Sequence, residues 1–146
     1  MLLTLAGGQY LVSLLRGTAL PANTYWGLSS TTPTWEGTNI TEPTDGNYAR
    51  QAQAMTSGGW GAGTDTTHTL NAVSYHACQM VTGAEIVFPA PTANDGTMTH
   101  LVWYSAITGG SAYGYAALTA SIVYTGGVDL RIAAGAAIMR LLGEAA

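Results

Sequence analysis

The fold is decided by residues 20–50, which read LPANTYWGLSSTTPTWEGTNITEPTDGNYAR. Within this stretch, residues 24–29 alternate large apolar and smaller side chains, with Trp26 and Leu28 on the same face, and this alternation predicts a strand. Residues 30–47 consist mainly of Thr, Pro, Gly, Asp and Asn, which is the composition of a long loop with tight turns. A loop of this length in a compact domain usually has a function or is held by a neighbour.

An apolar segment with the spacing of a helix precedes that stretch. Between residues 2 and 16, apolar side chains that include Tyr10 and Leu14 recur on one helical face. Gly17 follows at the position where a glycine often ends a helix. We therefore expect a docking helix in residues 1–19, which either plugs one end of a β core or contacts another subunit. Tyr10 and Leu14 are the candidates for that contact.

The chain after residue 50 alternates short apolar runs with turns that are rich in Gly, Pro and Asn. Residues 98–107 form the clearest predicted strand, with apolar side chains on both faces as in the centre of a packed sheet. Further short strands are predicted at 48–55, 69–73, 79–82, 84–88, 113–120 and 128–133. Residues 136–146 fit either a last strand or a short helix. About eight short strands separated by turns predict an all-β fold, a jelly-roll-like β-sandwich domain over residues 20–146 behind the N-terminal α-helix.

Charged side chains are scarce in this sequence. Only 8% of the 146 residues are charged and the formal net charge is −4, whereas roughly 25% of residues are charged in typical soluble domains. Four Arg and no Lys provide neither a basic face for nucleic acid nor a polybasic patch for a membrane. The apolar start of the chain lacks a basic n-region and is too short to span a bilayer, so we expect no signal peptide and no membrane anchor. Because a weakly charged surface protects poorly against association, we expect partner chains to cover much of it.

No group of residues with a recognisable chemistry stands out. His68, His76 and His100 are scattered and lack the spacing of a metal site. Cys78 lies in an apolar segment, which predicts a buried and inert thiol. The acidic residues are isolated from one another and are expected to lack partners, which argues against a calcium loop or an acid–base pair. We therefore expect no enzyme activity, no cofactor and no metal; Glu85 and His100 are the residues to substitute in a control for turnover.

Tryptophan and tyrosine are the main supply of contact groups, with four and eight residues respectively. Trp26 and Trp103 fall in predicted strands and are expected in the core. Trp35, which is followed by Glu36, and Trp60 fall in predicted loops, where a large ring commonly anchors a protein interface. The same two rings could instead stack on a sugar. We favour a protein interface, and the carbohydrate alternative stays open.

Several segments carry a resemblance to a known family: RGTA at 16–19, PANTYWGLSSTTP at 21–33, GT at 37–38, TEP at 41–43, Gly46, YAR at 48–50, IVFP at 86–89, GTMTHL at 96–101, GG at 109–110 and YAAL at 115–118. Together they resemble tailed-bacteriophage virion structural proteins of the tail-fibre-like or capsid-decoration type. The resemblance covers most of the chain, and the matching motifs are structural rather than catalytic.

The resemblance implies a non-enzymatic protein of the virion exterior, assembled in the bacterial host cytoplasm, as a head decoration or cement protein or as a tail-fibre-like component. Its expected partners are copies of itself, in a homotrimer or another symmetric oligomer, and the major capsid or tail proteins of the same phage. A host surface receptor or glycan is the alternative partner. Residues 58–67 and 136–146 match the family pattern poorly, so partner-specific contacts are expected there.

Overall fold

The computed structural model describes residues 1–145, and the side chains of residues 1–140. This part of the chain contains one helix, α1 (Leu5–Leu15), and ten strands. The strands are β1 (Leu2–Leu3), β2 (Asn23–Ser29), β3 (Gln51–Ala54), β4 (Thr64–Leu70), β5 (Val73–Val81), β6 (Ile86–Phe88), β7 (Thr97–Tyr104), β8 (Ala112–Val123), β9 (Leu130–Ile132) and β10 (Ile138–Ala145). The prediction of an all-β domain with an N-terminal helix is confirmed.

The strands form three antiparallel sheets. The largest has five strands in the order β1-β8-β7-β2-β3, and the others have the orders β10-β5-β4 and β6-β9. β7 lies between β8 and β2, with Trp26 opposite Trp103 in the ladder. Since the side chains of residues 100–104 are buried on both faces, the predicted central strand is confirmed.

The main core lies between the five-stranded sheet and the two smaller sheets. Trp26 and Trp103, each 1% exposed, pack in one cluster with Phe88 and Leu130 of the two-stranded sheet and Met139 of the three-stranded sheet. Each large apolar side chain that such a strand removes from water stabilises the folded state by roughly 1.5–3 kcal/mol. The predicted core positions of the two tryptophans are confirmed.

Trp60 also belongs to this core, so the prediction of an exposed ring at this position was wrong. Its side chain is only 5% exposed, and its ring centroid lies 5.9 Å from that of Trp26 and 6.3 Å from that of Trp103. The backbone around it is drawn inward, because Trp60 forms an isolated bridge with Thr82. Gly59 permits this course, since a Cβ at that position would lie 2.0 Å from the Ala54 carbonyl oxygen.

The second face of the five-stranded sheet is covered by the long loop between β2 and β3. Val102 and Tyr104 of β7 form a smaller apolar cluster there, and Ile40 of the loop packs on it. The Oγ of Ser29 donates to the Thr31 carbonyl at 2.8 Å. It also accepts a hydrogen bond from the backbone N–H of Thr41 at 3.2 Å. The predicted long loop is therefore an ordered layer of the domain.

Glu42 and Arg50 fasten this loop, and the expectation that the loop acids lack partners was wrong for Glu42. Arg50 donates to the Glu42 carboxylate from Nε at 2.9 Å and from Nη2 at 2.6 Å, and its Nη1 donates to the carbonyl of Ala106 at 2.9 Å. The guanidinium carbon lies 3.4 Å from the centroid of the Tyr104 ring. Tyr48 donates to Glu42 at 2.7 Å. Because residues 48–50 form this cluster, β3 begins at residue 51 and not at residue 48 as predicted.

Two further differences concern the hairpin β4–β5. The predicted strand at 69–73 contains a turn instead, in which Asn71 and Ala72 have φ of 51° and 63°, as in a two-residue hairpin turn. Cys78 is exposed, whereas a buried thiol was expected. Its neighbour Ala77 is the residue that points inward, at 2% exposed; hydrophobicity alone could not decide which of the two faced the core.

The structure corrects the predicted start of the helix at one end of the chain and decides between strand and helix at the other. The helix begins at Leu5 and not at residue 2, because Leu2–Leu3 form a strand that pairs with Tyr115 and Gly114 of β8. Residues 138–145, for which strand and helix were both open, form β10, which pairs with β5.

Candidate assembly surface

The inner face of α1 is fitted closely to the five-stranded sheet. Thr4 caps the helix by accepting a hydrogen bond from the Gly7 backbone N–H at 3.2 Å. A Cβ at Gly7 would lie 1.8 Å from the Tyr113 carbonyl oxygen, so only glycine allows this approach. Tyr10 stacks on Tyr113, with ring centroids 4.5 Å apart and planes at 9°. Tyr10, predicted as an interface residue, therefore faces its own sheet.

The outer face of α1 carries an apolar stripe that is uncovered. Leu5, Gly8, Val12 and Leu15 are spaced by three, four and three residues, which is the a/d spacing of a helix that packs on another helix. The side chains of Leu5, Val12 and Leu15 are 45%, 58% and 90% exposed. None of the 11 residues of α1 is charged. Gln9 and Ser13 lie beside this stripe, and nothing in the described part of the chain covers the exposed apolar side chains.

Trp35 lies beside this outer face. Its carbonyl accepts a hydrogen bond from the Leu5 backbone N–H at 2.8 Å, which places residues 35 and 36 at the N-terminal end of α1. The ring is 56% exposed and lines a shallow groove of about 460 Å³ together with Leu5, Val12 and Arg16. The structure thus brings the predicted interface ring together with the exposed helix face. We call the surface formed by Leu5, Gly8, Val12, Leu15, Trp35 and Glu36 the α1–Trp35 surface.

Opposite charges stand at the two ends of this surface. Arg16 is the C-cap residue of α1, and the helix is about 16 Å long from the rise of an α-helix. Glu36 lies at the other end, next to Trp35. Both side chains are exposed, and the ion pairs among residues 1–140 involve Arg50 and Arg131 but neither Arg16 nor Glu36.

Leu14 and Trp60, the remaining predicted interface residues, line a separate groove of about 480 Å³ between α1 and the loop before β4. The walls are apolar and include Met55, Met80 and Met139. Leu14 is half-buried there. Trp60 contributes to the groove from the core side, which is consistent with its burial.

In the described part of the chain, no three His, Cys, Asp or Glu side chains come close enough to hold a metal ion together. Among residues 1–145, no helix combines the length and the apolar character needed to cross a membrane.

The described part of the chain is thus an antiparallel β domain whose N-terminal helix leaves an apolar stripe exposed. A family model described as "Podophage GP4 fiber I protein gp80" matches residues 4–140, and the chain belongs to this family of podophage fibre proteins. No curated protein matches the sequence. Membership confirms the resemblance to tailed-phage virion proteins of the fibre type and implies a virion component. A head-decoration role stays a prediction.

The outer stripe of α1 is the part of the site that the sequence analysis missed. The helical stripe was assigned through Tyr10 and Leu14, which face the sheet and the second groove, while Leu5, Val12 and Leu15 carry the exposed face. The signal was present in the sequence as the seven-residue repeat of Leu5 and Val12 with Leu15 three residues later.

Proposed function

We propose that this protein is a non-enzymatic structural component of a podophage fibre, and that its copies associate through the α1–Trp35 surface. The observation that carries the proposal is the exposed a/d stripe of α1. It supports assembly because Leu5, Val12 and Leu15 stay exposed on the outer side of α1, where a surface helix ordinarily presents polar residues. The proposal includes attachment to other proteins of the same virion, and assembly in the host cytoplasm before that attachment.

The α1–Trp35 surface offers apolar side chains whose burial would favour a contact between copies. Complete burial of a Val or Leu side chain contributes roughly 1.5–3 kcal/mol, and the stripe offers Leu5, Val12 and Leu15 for burial. Trp35 adds one of the large rings that tend to dominate interface energies. Gly8 lies in the middle of the stripe, and a Cβ there would meet no atom within 4 Å. A neighbouring helix can therefore come close to the backbone of α1 at that point.

The charges favour a second copy of the chain as the partner. When two α1 helices cross in antiparallel directions, the Arg16 end of one helix lies beside the Trp35–Glu36 end of the other. Each copy then supplies an arginine to the partner's glutamate, and both residues gain the ion pair that the single chain does not give them. A parallel crossing would instead place the two Arg16 side chains near each other, which is unfavourable.

Sedimentation of the purified chain tests self-association. We expect the wild-type protein to form a concentration-dependent oligomer. Val12→Asp places a carboxylate in the middle of the apolar contact without a partner, and it should raise the dissociation constant at least 100-fold. Val128→Asp is the matched control, because Val128 is 62% exposed and lies in the turn before β9. A wild-type chain that stays monomeric, or an oligomer that survives Val12→Asp, would contradict the proposal.

Mass spectrometry of purified phage particles tests the structural role in the virion. We expect peptides of this chain at a fixed ratio to the other virion proteins. A ratio close to that of the major capsid protein would indicate head decoration, whereas a much lower ratio fits a fibre. Absence of the chain from intact particles would refute a structural role.

A further inference from the structure

The groove that Leu14 and Trp60 line, between α1 and the loop before β4, has a volume of about 480 Å³, and no charged side chain of residues 1–140 lines it. Its walls include Met55, Met80 and Met139, and we call it the methionine groove. Methionine is unbranched and polarizable, so it adapts to irregular shapes and makes favourable contacts with aromatic rings. Since a cavity of about 150 Å³ holds a benzene ring, the methionine groove has room for a larger ring.

The methionine groove is continuous with the α1–Trp35 surface. Leu11 lines the groove, and it follows Gly8 by three residues and precedes Leu15 by four, so it borders the exposed stripe on the surface of the helix. Leu20, which also lines the groove, is 56% exposed and lies just beyond the end of α1. The groove therefore opens beside the Arg16 end of the α1–Trp35 surface.

Trp35 is presented on a closed turn at the opposite end of α1. Two backbone hydrogen bonds hold the turn: the Thr34 N–H donates to the Thr38 carbonyl at 3.0 Å, and the Gly37 N–H donates to the Thr34 carbonyl at 3.0 Å. The ring is 56% exposed, whereas the other three tryptophans are at most 5% exposed. Because the backbone that carries the ring is already fixed, insertion of the ring into a partner would order only the side chain, which lowers the entropic cost of binding.

We infer that Trp35 of each copy inserts into the methionine groove of the other copy, so that the two copies exchange rings. This inference rests on the proposed self-association, in which the antiparallel contact places the Trp35 end of one α1 beside the Arg16 end of the other. The contact is isologous, because each copy supplies one ring and one groove. The uncharged walls of the groove suit the ring, whereas they disfavour a charged side chain, which would lose its hydration there.

A double-mutant cycle on self-association tests the exchange of rings. Trp35→Ala removes the ring, and Ala62→Phe fills the groove, because Ala62 lines it and is exposed. Trp35 does not line the methionine groove of its own chain, so an energetic coupling between the two substitutions reports a contact between copies. Ala93→Phe is the matched control, because Ala93 is exposed between β6 and β7 and lies outside the groove. The dissociation constants are measured by sedimentation of the full chain, and circular dichroism confirms that each variant is folded.

We expect Trp35→Ala and Ala62→Phe each to raise the dissociation constant at least about tenfold. The double variant should exceed the weaker single variant by no more than about threefold, whereas independent effects would multiply to about 100-fold or more. Trp35→Phe keeps a ring and should weaken association by a smaller factor than Trp35→Ala, and Ala93→Phe should associate like the wild type. Effects that multiply, or an Ala62→Phe protein that associates like the wild type, would overturn the exchange of rings and leave the contact between α1 helices standing. A wild-type chain that stays monomeric would overturn both.

Discussion

Alanine at Gly7 and alanine at Gly8 should change stability in opposite directions, although the two residues are neighbours in α1. A Cβ at Gly7 would lie 1.8 Å from the Tyr113 carbonyl oxygen, where real Cβ atoms do not come closer than 3.0 Å. The helix would have to move by more than about 1 Å to make room. That movement would loosen the hydrogen bond from the Thr4 N–H to the same carbonyl, now 3.0 Å, and the stacking of Tyr10.

The size of the two effects follows from general costs. Over-packing typically costs about 1–3 kcal/mol, and the upper end applies here because the obstructing atom belongs to the backbone and cannot rotate away. The gain in helix propensity from Gly to Ala is at most about 1 kcal/mol. We therefore expect Gly7→Ala to lower the free energy of unfolding by about 2 kcal/mol and Gly8→Ala to raise it by up to about 1 kcal/mol.

Thermal unfolding of both variants measures this difference. At this chain length, about 3 kcal/mol corresponds to thermal midpoints that differ by roughly 6–12 °C. Both variants are made in the Val12→Asp protein, so that the position of Gly8 in the α1–Trp35 surface does not contribute. Equal midpoints for the two variants, or a higher midpoint for Gly7→Ala, would refute the close docking of α1 on β8.

Two further predictions concern the long loop and His100. Arg50→Ala leaves the largely buried carboxylate of Glu42 without its cation, and breaking such a pair costs several kcal/mol. The free energy of unfolding measured by urea titration should therefore fall by about 3 kcal/mol. A loss below about 0.5 kcal/mol would show that this pair does not hold the loop. Burial lowers the pKa of His100 from its ordinary 6.5, so just below that pH the unfolded chain binds more protons than the folded one. Stability should therefore fall as the pH drops through 6.5, and His100→Gln should reduce this fall; an unchanged pH profile in the variant would contradict it.

Elements with a strong local pattern were predictable from the sequence. The alternation around Trp26 predicts β2, and the apolar character of both faces of residues 98–107 predicts the central strand β7. Arg16 and Gly17 mark the end of α1, and Gly17 has the positive φ of 90° expected there. Each of these features depends on side chains within a few positions of one another, which is the range over which periodicity is informative.

Features that depend on distant parts of the chain were not predictable. Trp60 lies in a loop with many glycines, and only the approach of that loop to Thr82 and Ala54 carries its ring into the core. Cys78 and Ala77 are both compatible with burial, and the pairing of β5 with its neighbours decides which one is exposed. The Glu42–Arg50 pair likewise arises from the return of the chain onto the sheet.

The candidate site was predictable in part. Trp35 and Glu36 lie on the exposed surface, as a ring and a charge in a polar loop suggest, and their role in an interface stays a prediction. Tyr10 and Leu14 were chosen from the same helical stripe, which the structure turns toward the domain. The partner-facing stripe is the other one, and which stripe a sheet will cover cannot be known before the sheet is placed.

Charge reversal at Arg16 and Glu36 tests the proposed assembly most directly, by sedimentation of two variants alone and mixed. Arg16→Glu alone places two acids at each end of an antiparallel contact, and Glu36→Arg alone places two arginines there, so each variant should be mainly monomeric. An equimolar mixture restores an opposite pair at both ends and should associate with nearly the wild-type dissociation constant. Variants that associate as well alone as in the mixture, or a mixture that stays monomeric while the wild type associates, would contradict the antiparallel contact of α1 between two copies.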